Sequence, residues 1–196
     1  GGLAAEAIRL GRSLAELMPD EPEVLGLLAL MLLHDSRRAA RLRDGELVLL
    51  ADQDRELWDR AQIRAGRAAL ERARALHGGG AYVLQATIAS LHGEAHSDWP
   101  QITALYSELA TLTGSPVVAL NGAVALAEAD GPEAGLAAIE PIERELDAYH
   151  YLHATRGELL RRLGHGAAAR DAFTRALELV RSEPERRLLR RRLDSL

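Results

Sequence analysis

The sequence predicts an all-α fold: a tetratricopeptide-like helical-repeat array, an α-solenoid, preceded by an N-terminal helix pair. Three observations predict it. Ala and Leu dominate, aromatic residues are only 4 % of the chain, and helix formers fill nearly every window. From Asp54 onward apolar residues recur with a period near 3.6. Gly, Pro or Asp then punctuates the pattern at short intervals, as between antiparallel helices. Residues 1–50 read as the helix pair and an irregular segment packed on the repeats. Residues 51–196 read as the array, and the whole as one continuous structural domain.

Leu3 to Leu17 carries Leu3, Ala7, Ile8, Leu10, Leu14 and Leu17 at amphipathic spacing. Met18-Pro19-Asp20 ends it. Pro22 opens a second helix, where its missing N–H costs nothing. That helix runs to about Leu33. Its apolar run from Val24 is too short to span a bilayer, so it reads as buried on most sides. The pattern breaks at Arg41 to Leu50. Asp44-Gly45 there is a hairpin turn signal, and the segment reads equally as a short hairpin or an ordered loop.

A long helix is predicted from Asp54 to Leu76, kinked or divided at Gly66, with Asp52 or Asp54 as its cap. His77-Gly78-Gly79-Gly80 reads as the most flexible stretch. Helices follow at about 81–93, 99–112, 116–129, 132–146, 149–163, 167–180 and 184–194. The clearest repeat lies within them. Gly157, Gly164, Ala169, Phe173, Ala176 and Leu177 fall at tetratricopeptide spacing. Gly157 and Ala169 are small where two helices cross, Gly164 is a left-handed helix stop, and Phe173 fills the gap between units. Asn121-Gly122-Ala123 with Gly131, Gly135 and Leu136 forms a weaker copy. A third pairs residues 81–91 with 99–112.

The chain holds no cysteine, which excludes disulfides and thiolate metal sites. All 24 cationic side chains are Arg, a usage that codon bias alone explains. None lies between Ala75 and Glu143, and the net charge of -5 argues against a nucleic-acid surface. The acidic middle suits a basic protein partner or is an ordinary solvated face. His92-Gly93-Glu94-Ala95-His96 places two imidazoles at i, i+4, but Glu does not directly follow the first His as in zinc proteases. His150 and His153, beside Asp147, share a helix face as a surface site. Packing or partner contact explains both His groups better than a metal. No phosphate loop, nucleophile elbow or paired carboxylate stands out, so neither enzyme activity nor a cofactor is expected.

Asp52-Gln53-Asp54-Arg55, with Trp58 and Asp59, is the densest polar stretch. It exceeds what one cap needs. A junction role is therefore expected for Asp52, Gln53, Asp54, Arg55, Trp58 and Asp59, with Arg37 and Arg38 tying the N-terminal helices to it. Trp58 should be buried.

Residues 19–34, Arg37-Arg38-Ala39-Ala40-Arg41, Asp52-Gln53-Asp54-Arg55 with Trp58-Asp59-Arg60, residues 115–121 and Glu185-Arg186-Arg187 together resemble one family. It is the extracytoplasmic-function sigma factors that carry a long C-terminal tetratricopeptide-like extension. The resemblance implies a bacterial, cytoplasmic protein whose extension modulates transcription initiation. Its implied partners are RNA polymerase and the N-terminal sigma domains of the same protein. Those promoter-reading domains are absent from these residues, so no direct DNA binding, no membrane contact and a monomer are expected. Relatives often carry Arg where Gly122 stands, so a cationic contact there is not carried over. The alternative is a generic tetratricopeptide-like scaffold for peptides, unconnected with transcription.

Overall fold

The computed structural model describes residues 2–94 and 96–196, with ten α-helices and one two-stranded sheet among them. The all-α expectation holds. The chain divides into two compact units, Gly1–Leu42 with Val48–Asp98, and Arg43–Leu47 with Trp99–Leu196. Helix α2 (Pro22–Asp35) packs against α1 (Gly2–Leu17), α3 (Arg60–Ala75) and α4 (Ala81–Leu91), so one core claims all four.

The N-terminal helix pair is thus the base of a four-helix unit. Helix α2 buries Leu25, Leu28, Ala29, Leu32 and Leu33, as its uninterrupted apolar run requires. Small residues let the backbones close in. A methyl group on Gly26 would stand 2.7 Å from the Val83 backbone nitrogen, and one on Gly66 would stand 3.0 Å from Leu33. Gly66 therefore neither kinks nor divides α3; it is the contact point with α2. Helix α1 is less well covered than its pattern predicts. It buries only Ile8 and Gly11, while Leu3 and Leu17 are largely exposed.

Helix α3 starts at Arg60, not near Asp54. Two short 3-10 turns, Leu50–Asp52 and Arg55–Leu57, occupy the approach. In the triple-glycine stretch Gly78 and Gly80 are closely approached by Pro22 and Glu23, while Gly79 faces open space. His77 adopts φ 60°, its N–H donates to Arg74 O, and the Gly78 N–H donates to Ala73 O. This is a Schellman stop with His in the left-handed position. The Glu23 carboxylate then accepts from the backbone N–H groups of Tyr82 and Val83, capping α4 from a neighbouring helix.

Strands β1 (Leu42–Arg43) and β2 (Glu46–Leu47) form the hairpin alternative. Asp44 and Gly45 both have positive φ, 54° and 78°, as a type I′ turn demands. The hairpin tip belongs to the second unit, where Glu46 pairs with Arg191 of α10 (Glu183–Asp194).

In the second unit α5 (Trp99–Thr113) pairs with α6 (Pro116–Asp130), α6 with α7 (Pro132–Ile139), and α8 (His150–Arg162) with α9 (Gly166–Leu179). Within its own unit α4 packs on α2, and in the second unit α5 packs on α6. Helix α7 ends at Ile139 and not at 146. Pro141 has no N–H to continue the ladder, and a 3-10 turn over Glu140–Ile142 follows. The α8–α9 pair matches its sequence reading closely. Ala169 is fully buried, and a methyl on Gly157 would meet the Phe173 ring at 2.8 Å. Gly164, at φ 77°, stops α8, and the His165 N–H donates to Leu160 O.

Candidate functional site

The polar stretch builds a node in the first unit, differently from its sequence reading. The cap of α3 is Asp59, not Asp52 or Asp54. Its carboxylate accepts from Ala61 N at 2.9 Å and Gln62 N at 3.0 Å. Asp54 caps only the short turn that follows it, accepting from Glu56 N at 2.9 Å. Asp52 is exposed at the end of the preceding turn. Gln53 donates its amide to Val48 O at 3.3 Å. A helix start takes one acceptor, and the one three residues before the last free N–H has the better reach.

Trp58 is buried, 4 % exposed, as expected. It sits in extended backbone just before α3, not on it. The next residue anchors it: the Asp59 N–H donates to Ser36 O at 2.8 Å, tying the stretch to the end of α2. Two guanidiniums lie over the indole, Arg55 at 5.0 Å and Arg37 at 5.8 Å from its centroid. Arg55 also donates to the carbonyls of Gly93 and Glu94, at 3.3 and 2.8 Å, beyond α4. So Arg37 and Arg55 do meet the stretch, through the Trp58 ring and not through a carboxylate. Arg38 pairs with Asp35.

His34 and Arg41 complete the node. Arg37 and Arg41 both approach His34 Nδ1, at 3.4 and 3.3 Å, and Arg41 donates to His34 O at 2.9 Å. Two donors on Nδ1 require the ring proton on Nε2. Burial pushes the imidazole down to about 4, with Arg37 and Arg41 adding positive charge beside it. Part of the ring lines an open groove. His92 is lowered as well, by burial and by Arg37. Arg37 itself is 9 % exposed, and burial lowers it too. The Trp58 Nε1–H, Gln53 Oε1 and Gln62 Oε1 are buried without partners.

Beside His34 lies a groove of about 300 Å³ between α1 and α2. Ala4, Ala7, Ile8 and Met31 make its wall, and His34, Arg41 and the Asp35–Arg38 ion pair stand at its polar end.

His150 and His153, in the second unit, do not form a shared surface site. His153 is buried and its Nε2 lies 2.7 Å from Asp147 O. His150 faces Glu185 of α10 at 3.3 Å, an ion-pair distance without hydrogen-bond geometry. Tyr151 donates its hydroxyl to the same carboxylate. Burial, that hydrogen bond and the Glu185 charge raise the Tyr151 hydroxyl well above its ordinary value. No group of three or more His, Asp or Glu among the described residues is placed to hold a metal ion. Ala95, inside the other His pair, lies outside the described residues. No helix among the described residues is long and apolar enough to cross a membrane.

Sequence reasoning missed His34, Arg41 and Glu185. The i, i+3 and i, i+7 spacing of His34, Arg37 and Arg41 was available as a signal. Glu185 carried none, because it meets Tyr151 only once α10 folds back on α8.

With this geometry in hand, comparison with known proteins gives two matches. A family of unknown function, DUF6596, matches residues 1–74, which contain most of the node. An uncharacterized protein of Rhizobium meliloti is 46 % identical over 199 residues, covering 99 % of this chain. The chain spans about half the length of that relative, 47 % of it. No solved structure matches.

Proposed function

We propose that this chain is the regulatory helical-repeat extension of a bacterial, cytoplasmic extracytoplasmic-function sigma factor. It modulates transcription initiation through contacts with the sigma domains or RNA polymerase, and it carries out no catalysis of its own. The observation that carries the reading is the Trp58 node. Within the stretch most specific to the resemblance, Arg55 and Trp58 meet Arg37, and Asp54 caps the exposed turn that carries Arg55. A relative twice this length leaves room for promoter-reading domains in such a protein.

Helices α6 to α9 serve in this reading as tetratricopeptide-like units. The Gly157–Phe173 contact, the Gly164 stop and Gly135 against Ala127 are the packing features such units need. The same features favour the second reading, a peptide-binding scaffold unrelated to transcription.

Transcription by the full-length protein, with and without residues 3–196, tests the proposal. Arg55→Ala and Asp54→Ala should reduce transcription while the unfolding midpoint falls little. If activity falls only in proportion to stability, the docking role is rejected.

A further inference from the structure

We infer that Arg37, Arg41 and Arg55 form a receptor for an acidic, amphipathic segment of a protein partner. The argument starts from missing counter-ions. Arg37 is nine-tenths buried, yet its contacts are the neutral His34 Nδ1 at 3.4 Å and the Trp58 face. Arg41 donates only to His34, and Arg55 only to two backbone carbonyls. Among the described residues no carboxylate lies within ion-pair distance of any of the three. A buried charge without a counter-ion is costly, and its stabilising partner has to be an anion.

Arg37 links the group. It reaches the nitrogen that Arg41 also touches and lies over the ring that Arg55 also covers. The imidazoles of His34 and His92 remain neutral in this field, so they add no competing cation. Guanidiniums of this kind favour carboxylates in paired geometry. The groove beside His34 and Arg41 adds an apolar wall of Ala4, Ala7, Ile8 and Met31, with space for a side chain or two. Apolar residues of the segment fill that groove while one of its carboxylates meets Arg41 at the polar end, and others meet Arg37 and Arg55, which Trp58 and His34 link to Arg41. A nucleic acid would bring phosphates but nothing for the apolar wall.

The inference rests on the docking reading above only for the partner's identity. It is tested by calorimetric titration of the chain with a capped peptide of repeating Leu-Glu-Glu units. Its Leu-Gln-Gln counterpart and a single-stranded oligothymidylate of similar length are titrated in parallel. The Glu peptide should bind at least about tenfold more tightly than the Gln peptide, the expectation for charge-assisted contacts. Arg41→Gln and Arg55→Gln, both at exposed positions, should each weaken it several-fold, and Arg190→Gln on α10 should not. Equal affinity for both peptides, no binding, indifference to both variants, or tighter binding of the oligothymidylate would each overturn the inference. Peptide binding without any effect of Arg55→Ala on transcription would instead reject the sigma-factor reading and leave the receptor standing.

Discussion

Two aromatic nodes anchor the two units, and they differ in how their charge is met. In the second unit, Tyr151 and His150 converge on one carboxylate, Glu185, so the unit supplies both donor and acceptor. In the first, Arg37, Arg41 and Arg55 converge on Trp58 and His34 with no carboxylate among them. A node that satisfies its own charge explains itself as a fastening between α8 and α10. A node whose buried guanidinium, Arg37, meets no carboxylate among the described residues carries a cost that folding does not require. That contrast is why the functional reading is placed at Trp58 and not at the histidines of α8.

The largest expected effect bears on how each unit is held. Trp58→Ala should destabilise by about 3–5 kcal/mol, read from the denaturation midpoint, because it removes a buried ring and the platform for two guanidiniums. Phe173→Ala should cost a similar amount in the second unit, where the ring fills the space against Gly157. A Trp58→Ala variant that melts unchanged would show that the first node is not a core at all.

Next comes the cap. Asp59→Ala should cost about 1 kcal/mol, because two helix N–H groups lose their acceptor. Asp54→Ala should cost less, since it frees one N–H in an exposed turn. The reverse order in urea titrations would restore Asp54 as the structural cap and remove the reason to assign it a docking role.

These residues also show how far the sequence was legible. The helices, the Gly157–Phe173 crossing, the Gly164 stop and the burial of Trp58 all follow from local pattern, because each depends on neighbours within a turn or two. The α3 start does not. Asp52, Asp54 and Asp59 are equally good caps by type, and the choice is made by Ser36 O, which holds the Asp59 N–H from a distant helix end. The flexible reading of Gly78 and Gly80 failed for the same reason, since Pro22 and Glu23 approach them from α2. The node was half visible: its motif residues stood out, while His34 and Arg41 became part of it only when η-type turns brought Trp58 back onto α2.

A smaller effect concerns the node that satisfies itself. Tyr151→Phe should cost about 0.5–1 kcal/mol at neutral pH, a partly exposed hydrogen bond to a charge. The raised Tyr151 value adds a sign. An acid held neutral in the folded state contributes fully below the ordinary tyrosine value of about 10, and that contribution is lost above it. Wild type should therefore lose stability in the alkaline limb, and Tyr151→Phe should flatten that limb.

The last prediction is the mirror image and should be invisible at neutral pH. His34 titrates at about 4 in the folded chain, held down by burial and by Arg37 and Arg41. In the unfolded chain it titrates near its ordinary value of about 6.5. Between those two values the unfolded state binds the extra proton, so stability falls as pH drops through the window and levels off below it. His34→Gln keeps a polar side chain at the groove but has no proton to take up. Its stability should match wild type at neutral pH and fall less steeply between about 6.5 and 4. An acid limb unchanged by this substitution would mean that His34 is not held neutral by its cations. The guanidiniums would then lie farther from the ring than 3.3–3.4 Å, and the first node would lose the charge concentration that distinguishes it from the second.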